Sequence, residues 1–217
     1  MAALASRFFR GFGHNRPRGP EQGEPALVIP GFMAGDRTTL ELRRALGAAG
    51  FRVYPWRQGW NRGARADTLQ RLKRALAAVP GDAPVLLVGW SLGGLYAREL
   101  ARAAPERVRA VVTLGTPISG DLRQSTNVWR LYEWFAGHPV DDPPLANSED
   151  KPPVPSLAIW SRRDGIIAAA SARGAGHCRD RAVEIDSTHM GFAVSRRATR
   201  RVAAEIRRFL SEAESRA

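Results

Sequence analysis

Apolar residues fall along this chain in two alternating rhythms, and the alternation points to an architecture before any single residue is weighed. Short apolar runs recur at Ala26–Pro30 (ALVIP), Phe51–Pro55 (FRVYP), Val85–Gly89 (VLLVG), Val108–Leu114 (VRAVVTL), Ser156–Trp160 and Ala182–Asp186. Runs with so few polar interruptions suit strands covered on both faces, because a half-exposed strand would alternate polar and apolar positions. Between them the spacing changes to three and four. Leu42, Ala45, Leu46 and Ala49 recur at helical spacing behind Asp36, a residue suited to cap a helix start, and Gly50 stops the pattern. Leu69, Leu72, Leu76 and Val79 line one face of a predicted helix over 64–79, which Pro80-Gly81 ends. Leu95, Tyr96 and Leu100 stripe a third helix over 92–104, and Val202, Ile206 and Phe209 a closing one from about Ser195. Strand–helix alternation predicts parallel strands joined by crossover helices, and right-handed crossovers put those helices on both faces. The expected fold is α/β, a doubly wound, mostly parallel sheet of about six strands.

The rhythm breaks in two places. Residues 1–24 precede the first strand and read as an N-terminal arm, with Phe8, Phe9 and Phe12 beside Arg7 and Arg10. Those arginines interrupt any apolar core of a secretory signal, so none is expected. The second break spans about 118–155 inside the domain of residues 25–217. It carries Trp129, Tyr132, Trp134 and Phe135, then a Pro/Asp-rich run over 139–155. Long insertions in compact domains are usually functional, and one placed after the fourth strand is expected to cover the mouth of a site as a lid.

Composition narrows the classes. A chain of 217 residues with 44% hydrophobic and 25% charged content builds one folded domain, which excludes a disordered protein. The net charge of +12 raises a polyanionic partner as a question. Lys73 and Lys151 are the only lysines, and the arginines are scattered rather than blocked. A solvated basic surface is therefore expected, with no nucleic-acid partner and at most weak association with an anionic membrane surface. No apolar stretch approaches the roughly 18 residues of a membrane span, so a soluble cytoplasmic protein is expected. The single Cys178 excludes an internal disulfide. The four histidines and that cysteine show no ligand spacing, so neither metal nor cofactor is expected.

Chemistry concentrates at Gly89-Trp90-Ser91-Leu92-Gly93, which matches G-x-S-x-G. The pattern arises by chance in glycine-rich chains, so its context decides. Four apolar strand residues precede it and a helical stripe follows, as a nucleophile at a tight strand-to-helix turn requires. Small residues two positions either side let the backbones pass closely, and the helix N-terminus directs amides toward developing negative charge. Serine needs a histidine base held by a carboxylate, which follow it in the order acid, then histidine. His14 precedes the motif and His138 lies in the insertion. His189 follows the sixth strand directly, in Ser187-Thr188-His189-Met190-Gly191, and is the expected base, with His177 as the fallback. Asp164, just beyond the fifth strand, is the expected acid, because catalytic groups of open α/β sheets collect at the carboxyl ends of strands. Asp186 competes for that role. The oxyanion donors expected are the amide of Leu92 and, from the loop Pro30–Gly35, that of Phe32, with Met33 as the alternative. Met33, Trp90, Trp129 and Trp134 are expected to touch substrate.

The sequences PGF near the first strand, GWSLGG, LGTP after the fourth strand, SRRDGII and STHMGF together resemble the lipase/esterase branch of the α/β-hydrolase superfamily. The resemblance runs over residues 25 to 210 and implies a triad of Ser91, Asp164 and His189 with Phe32 and Leu92 at the oxyanion hole. Many lipases carry His-Gly where this chain has Pro30-Gly31, so positioning by that histidine side chain is lost while the backbone amide is kept. The expected activity is cleavage of a small hydrophobic carboxylic ester through an acyl-enzyme. The same residues would serve a thioesterase or an acyltransferase, and a ligand-binding protein on this fold is the non-catalytic alternative.

Overall fold

The computed structural model describes residues 23–139, 142–145 and 148–215, so the proposed arm over 1–24 lies almost wholly outside the described residues. Six strands form one parallel sheet: β1 Glu24–Ile29, β2 Phe51–Pro55, β3 Val85–Trp90, β4 Val108–Leu114, β5 Ser156–Trp160 and β6 Arg181–Glu184. Their order across the sheet is β2-β1-β3-β4-β5-β6. Helix α1 (Leu40–Ala48) and the closing helix α8 (Arg196–Glu214) cover one face; α2 (Thr68–Ala77) and α3 (Leu92–Ala103) cover the other.

The central strand runs are apolar because both of their faces meet a helix layer. In β1, Ala26 and Val28 pack with Leu42 and Leu46 of α1 and with Val202, Ile206 and Phe209 of α8. Leu27 and Ile29, one residue out of phase, pack with Leu72 and Leu76 of α2 and with Tyr96, Ala97 and Leu100 of α3. Strand β3 divides in the same way, Leu86, Val88 and Trp90 from Val85 and Leu87. Each such buried aliphatic side chain contributes about 1.5–3 kcal/mol through removal of apolar surface from water.

Local boundaries differ from the expectation where a side chain takes a tertiary partner. Asp36 does not cap α1, whose N-cap is Thr39. Its carboxylate instead accepts the amides of Trp56 and Arg57, each at 3.1 Å, and so ties the loop after β1 to the end of β2. Burial raises its pKa above the usual aspartate value in spite of those bonds. Helix α2 starts at Thr68 rather than near 64, because Arg65 donates its amide to the Thr68 hydroxyl at 2.7 Å and residues 61–67 run as a loop. Strand β6 begins one residue before the expected run and ends two before it, and as an edge strand it is only partly buried.

This topology decides where a site can form. From β1 the chain crosses to β2 on one side, and from β3 it crosses to β4 on the other, so the two connections diverge. Ile29 pairs with Gly89, which brings the loops beginning at Pro30 and Ser91 out side by side at the carboxyl edge. Crevices of open α/β sheets open at this kind of switch point.

The insertion after β4 carries two short helices, α4 (Leu122–Ser125) and α5 (Trp129–Ala136). Its far end is held by α3. The buried Arg98 guanidinium donates to the carbonyls of Cys178 (2.8 Å), Glu149 (2.8 Å) and Asp150 (2.9 Å). Burial lowers its pKa to about 10. Two further short helices, α6 (Ala169–Arg173) and α7 (Gly191–Val194), are too brief to show a period in the sequence. No helix among the described residues is long and apolar enough to cross a membrane.

Candidate active site

Ser91 sits between the last residue of β3 and the first of α3 at φ 54°, ψ −126°, a conformation that costs a non-glycine residue about 1–3 kcal/mol. The surroundings enforce it. Its amide donates to the Leu114 carbonyl at 2.9 Å, and the Thr116 hydroxyl donates to its carbonyl at 2.9 Å. A Cβ at Gly89 would overlap the backbone of Gly93, and one at Gly93 would overlap the Ile29 carbonyl. The spacing of the motif thus has a direct cause: strand, turn and helix backbones are in contact. A Cβ on Gly31 would lie 3.0 Å from that of Ser91, so the loop after β1 passes against the serine side chain.

Asp164 and His189 meet beside this turn. Asp164 Oδ1 accepts the amides of Ile166 (3.0 Å) and Ile167 (2.7 Å), which fixes the carboxylate in the loop after β5. Its Oδ2 lies 2.9 Å from His189 Nδ1, and the His189 amide donates to the Asp164 carbonyl at 3.1 Å. Both side chains are buried. A carboxylate only accepts, so Nδ1 carries the proton and Nε2 is left as the basic nitrogen. Trp90 donates its indole N–H to the His189 carbonyl at 3.0 Å and packs its ring against the imidazole. Asp186 lies on the surface, paired with Arg163 at 3.0 Å. His177 lies elsewhere, its ligand atoms within 4.8 Å of those of Glu149 and Cys178. Those three donors are one short of a four-coordinate structural zinc site, and Glu149 already accepts the Gly120 amide.

An apolar cavity of about 80 Å3 opens at Ser91, walled by Phe32, Leu95, Tyr96, Tyr132, Leu145 and Ile167. Leu92, first in α3, has no carbonyl partner for its amide within the helix. Phe32 lies on the cavity wall and its amide makes no backbone hydrogen bond among the described residues. The Met33 amide is occupied, donating to the Asn61 carbonyl at 2.7 Å.

The four residues expected to touch substrate take other places. Met33, Trp90, Trp129 and Trp134 are absent from the cavity wall. Trp90 is a buried prop for His189. Trp129 has the guanidiniums of Arg123 and Arg130 within 4.7 and 5.1 Å of its ring centre, and Trp134 is three-quarters exposed. The aromatic that the insertion does send inward is Tyr132. Its hydroxyl accepts the Ala64 amide at 3.3 Å and its ring packs on Phe32. Leu95 and Tyr96 also form the wall, although as a helical stripe they read only as core. Periodicity marks which residues turn inward and says nothing of whether the space they face is filled.

Residues 9–147, more than half of the chain, match a family model described as "alpha/beta hydrolase fold". That segment contains Ser91 but ends before Asp164 and His189. Among curated proteins, the biotin biosynthesis bifunctional protein BioHC of Teredinibacter turnerae is 41% identical over 59 residues, 27% of this chain and 10% of that protein. Lipase LipV of Mycobacterium tuberculosis is 39% identical over 67 residues, 31% of this chain. The match to LipV spans about a quarter of that protein's length, 24%. Among solved structures, MGS-MChE2, an alpha/beta hydrolase enzyme from a sediment metagenome of the Mar Chica lagoon, superposes with a TM-score of 0.63 at 18% identity. It covers 89% of this chain and 93% of its own. At that identity the likeness concerns the fold.

Proposed function

The chain belongs to the alpha/beta hydrolase family, and from that premise we propose that it is a serine hydrolase cleaving carboxylic esters with a compact apolar acyl group. The observation that carries the reading is the buried Asp164–His189 hydrogen bond of 2.9 Å, set at the same sheet edge as the strained Ser91 turn. A buried, oriented imidazole beside a serine forced out of regular backbone conformation has the parts of a nucleophile and its base.

In the proposed reaction Ser91 Oγ attacks the ester carbonyl carbon while His189 Nε2 takes its proton. The carbonyl oxygen becomes an oxyanion received by the Phe32 and Leu92 amides, each worth about 3 kcal/mol in a donor of this kind. The C–O bond to the alcohol breaks, and the alcohol leaves with the proton from Nε2. Water then attacks the acyl-enzyme, gives its proton to Nε2, and the acid departs as Ser91 regains the proton. Asp164 holds the imidazole tautomer and offsets the charge formed on it. The acyl group would occupy the cavity under Tyr132, whose apolar walls offer a carbon chain burial from water.

A fluorophosphonate probe tests this on the full chain. Wild type should be labelled at one site, Ser91→Ala not at all, and His189→Ala at least about a thousandfold more slowly. Folded wild-type protein that resists the probe would refute the hydrolase reading and leave ligand binding in its place.

A further inference from the structure

A second hollow lies behind Tyr96. It holds about 270 Å3 and is bounded by Trp56, Gln58, Arg62, Arg65, Thr68 and Arg71 among others. Among the described lining residues, Tyr96 alone is shared with the apolar cavity at Ser91. The chemistry on the two sides of that tyrosine is opposite.

Arg62, Arg65 and Arg71 line this cleft, the first two exposed, and none forms an ion pair with any described carboxylate. Arg71 is braced instead: it donates from Nε to Gln58 Oε1 at 2.7 Å, while Gln58 Nε2 donates back to the Arg71 carbonyl at 2.7 Å. The nearest carboxylates along the chain do not line the space. Asp36 is engaged by the Trp56 and Arg57 amides, and Asp67 stands outside as the N-cap of α2. That ten-residue helix turns its N-terminus, at Thr68, toward the cleft, which adds partial positive charge. The Tyr96 hydroxyl is buried and has no hydrogen-bond partner. Burial holds its pKa well above the usual 10, so it is a protonated donor, and Arg71 and Arg65 are the cations whose fields reach it. A buried hydroxyl without a partner beside guanidiniums that have no counter-charge marks a site short of an anion.

We propose that this cleft binds a phosphate monoester, held by Arg65 and Arg71 with the Tyr96 hydroxyl as a further donor. The charge count favours phosphate over carboxylate: a dianion compensates two of the three guanidiniums, and a carboxylate only one. The space exceeds what one phosphate fills, so a small organic group accompanies it. A soluble phosphate ester and a phosphomonoester lipid headgroup share this chemistry.

Trp56 and Trp60 line the cleft and supply the readout. Tryptophan fluorescence of the full chain is titrated at fixed ionic strength with inorganic phosphate, glycerol phosphate and acetate. Vesicles of phosphatidylcholine with and without phosphatidic acid form a second arm. Wild type should saturate with both phosphates and respond to acetate at least tenfold more weakly. Arg65→Gln/Arg71→Gln should weaken binding about a hundredfold and Tyr96→Phe about tenfold, as expected for hydrogen bonds to a charged group. Arg200→Gln, on α8 across the sheet, should bind like wild type. Tyr96→Phe removes a hydroxyl that bonds nothing, so its urea midpoint should not fall. A response to phosphatidic acid vesicles that the cleft variants abolish assigns the headgroup source; a response to the soluble esters alone assigns the free one. Absence of saturation in wild type, equal binding in the cleft variants, or acetate binding as tightly as phosphate would overturn the proposal. None of these readings involves labelling of Ser91, so they fail or hold separately from the hydrolase reading.

Discussion

Replacing Gly115 by alanine should disable the site while leaving the fold standing. Gly115 follows β4 with φ 52°, and a Cβ there would lie 2.7 Å from Asp164 Oδ2 and 3.2 Å from His189 Nδ1. The methyl group would thus press on both atoms whose 2.9 Å hydrogen bond orients the imidazole. A carbon in ordinary contact with a carboxylate oxygen stands about half an ångström or more farther off, so the carboxylate or the ring must shift. The left-handed conformation costs alanine about 1–2 kcal/mol, and the clash adds to that. Misplacement of a catalytic group by about 1 Å costs on the order of 100-fold in rate. Gly115→Ala should therefore react with a fluorophosphonate about 10²–10³-fold more slowly than wild type, with a loss of about 2–3 kcal/mol in urea unfolding. Gly81→Ala is the control. It has φ 89° and no heavy atom within 4 Å of the added carbon, so it carries the strain without the collision. It should lose about 1 kcal/mol and keep the wild-type labelling rate. Near-wild-type labelling of folded Gly115→Ala, or equal slowing in Gly81→Ala, would refute this account of the pair.

Asp164→Asn should slow ester hydrolysis by about 10³–10⁴-fold with little change in KM, because an amide facing Nδ1 favours the wrong imidazole tautomer; steady-state kinetics on a p-nitrophenyl ester check this. Leu95→Trp should fill the apolar cavity, so that the kcat/KM ratio of hexanoate to acetate esters falls at least about tenfold while acetate turnover persists. Arg98→Met should lower stability by about 3 kcal/mol in urea unfolding, since the carbonyls of Cys178, Glu149 and Asp150 lose a buried charged donor. The same variant should be cut faster by a glutamate-specific protease after Glu149, in the segment that Arg98 holds.

The layers of the sheet were legible because their cause is local. Each central strand is covered on both faces, and that condition writes itself into the sequence as an unbroken apolar run. The Ser91 turn was legible for a similar reason: Gly89 and Gly93 must be small wherever strand and helix backbones touch. What the sequence concealed depends on distant partners. Asp36 has the composition of a cap and the position of a tether, and only the return of β2 beside it decides between them. Trp129 and Trp134 have the composition of a substrate wall, yet one stacks on arginines and the other faces solvent. In a short helix with four aromatic residues, the phase of the inward face is set by what lies beneath it. Here that is Phe32 and the Ala64 amide, which select Tyr132. Tyr96 shows the converse, a residue with the spacing of core whose hydroxyl marks it as something more.

The loop after β1 is fixed on both sides of the proposed Phe32 donor. Asn61 holds this loop from three directions. Its side-chain amide donates to the Pro30 carbonyl at 2.9 Å, its carbonyl accepts the Met33 amide at 2.7 Å, and its own amide donates to the Ala34 carbonyl at 2.8 Å. The Ala34 amide turns back to the Gly31 carbonyl at 3.2 Å. Each of these bonds uses a group on either side of Phe32 and leaves the Phe32 amide without a backbone acceptor. Its ring meanwhile rests on Tyr132 and Phe135 of the insertion. In the proposed reaction, a donor so placed would need no reorganisation when negative charge develops at Ser91. Asn61, from the loop after β2, thus fixes the backbone on both sides of Phe32. Of the two candidates proposed for the second oxyanion donor, Phe32 is favoured because the Met33 amide is already given to the Asn61 carbonyl.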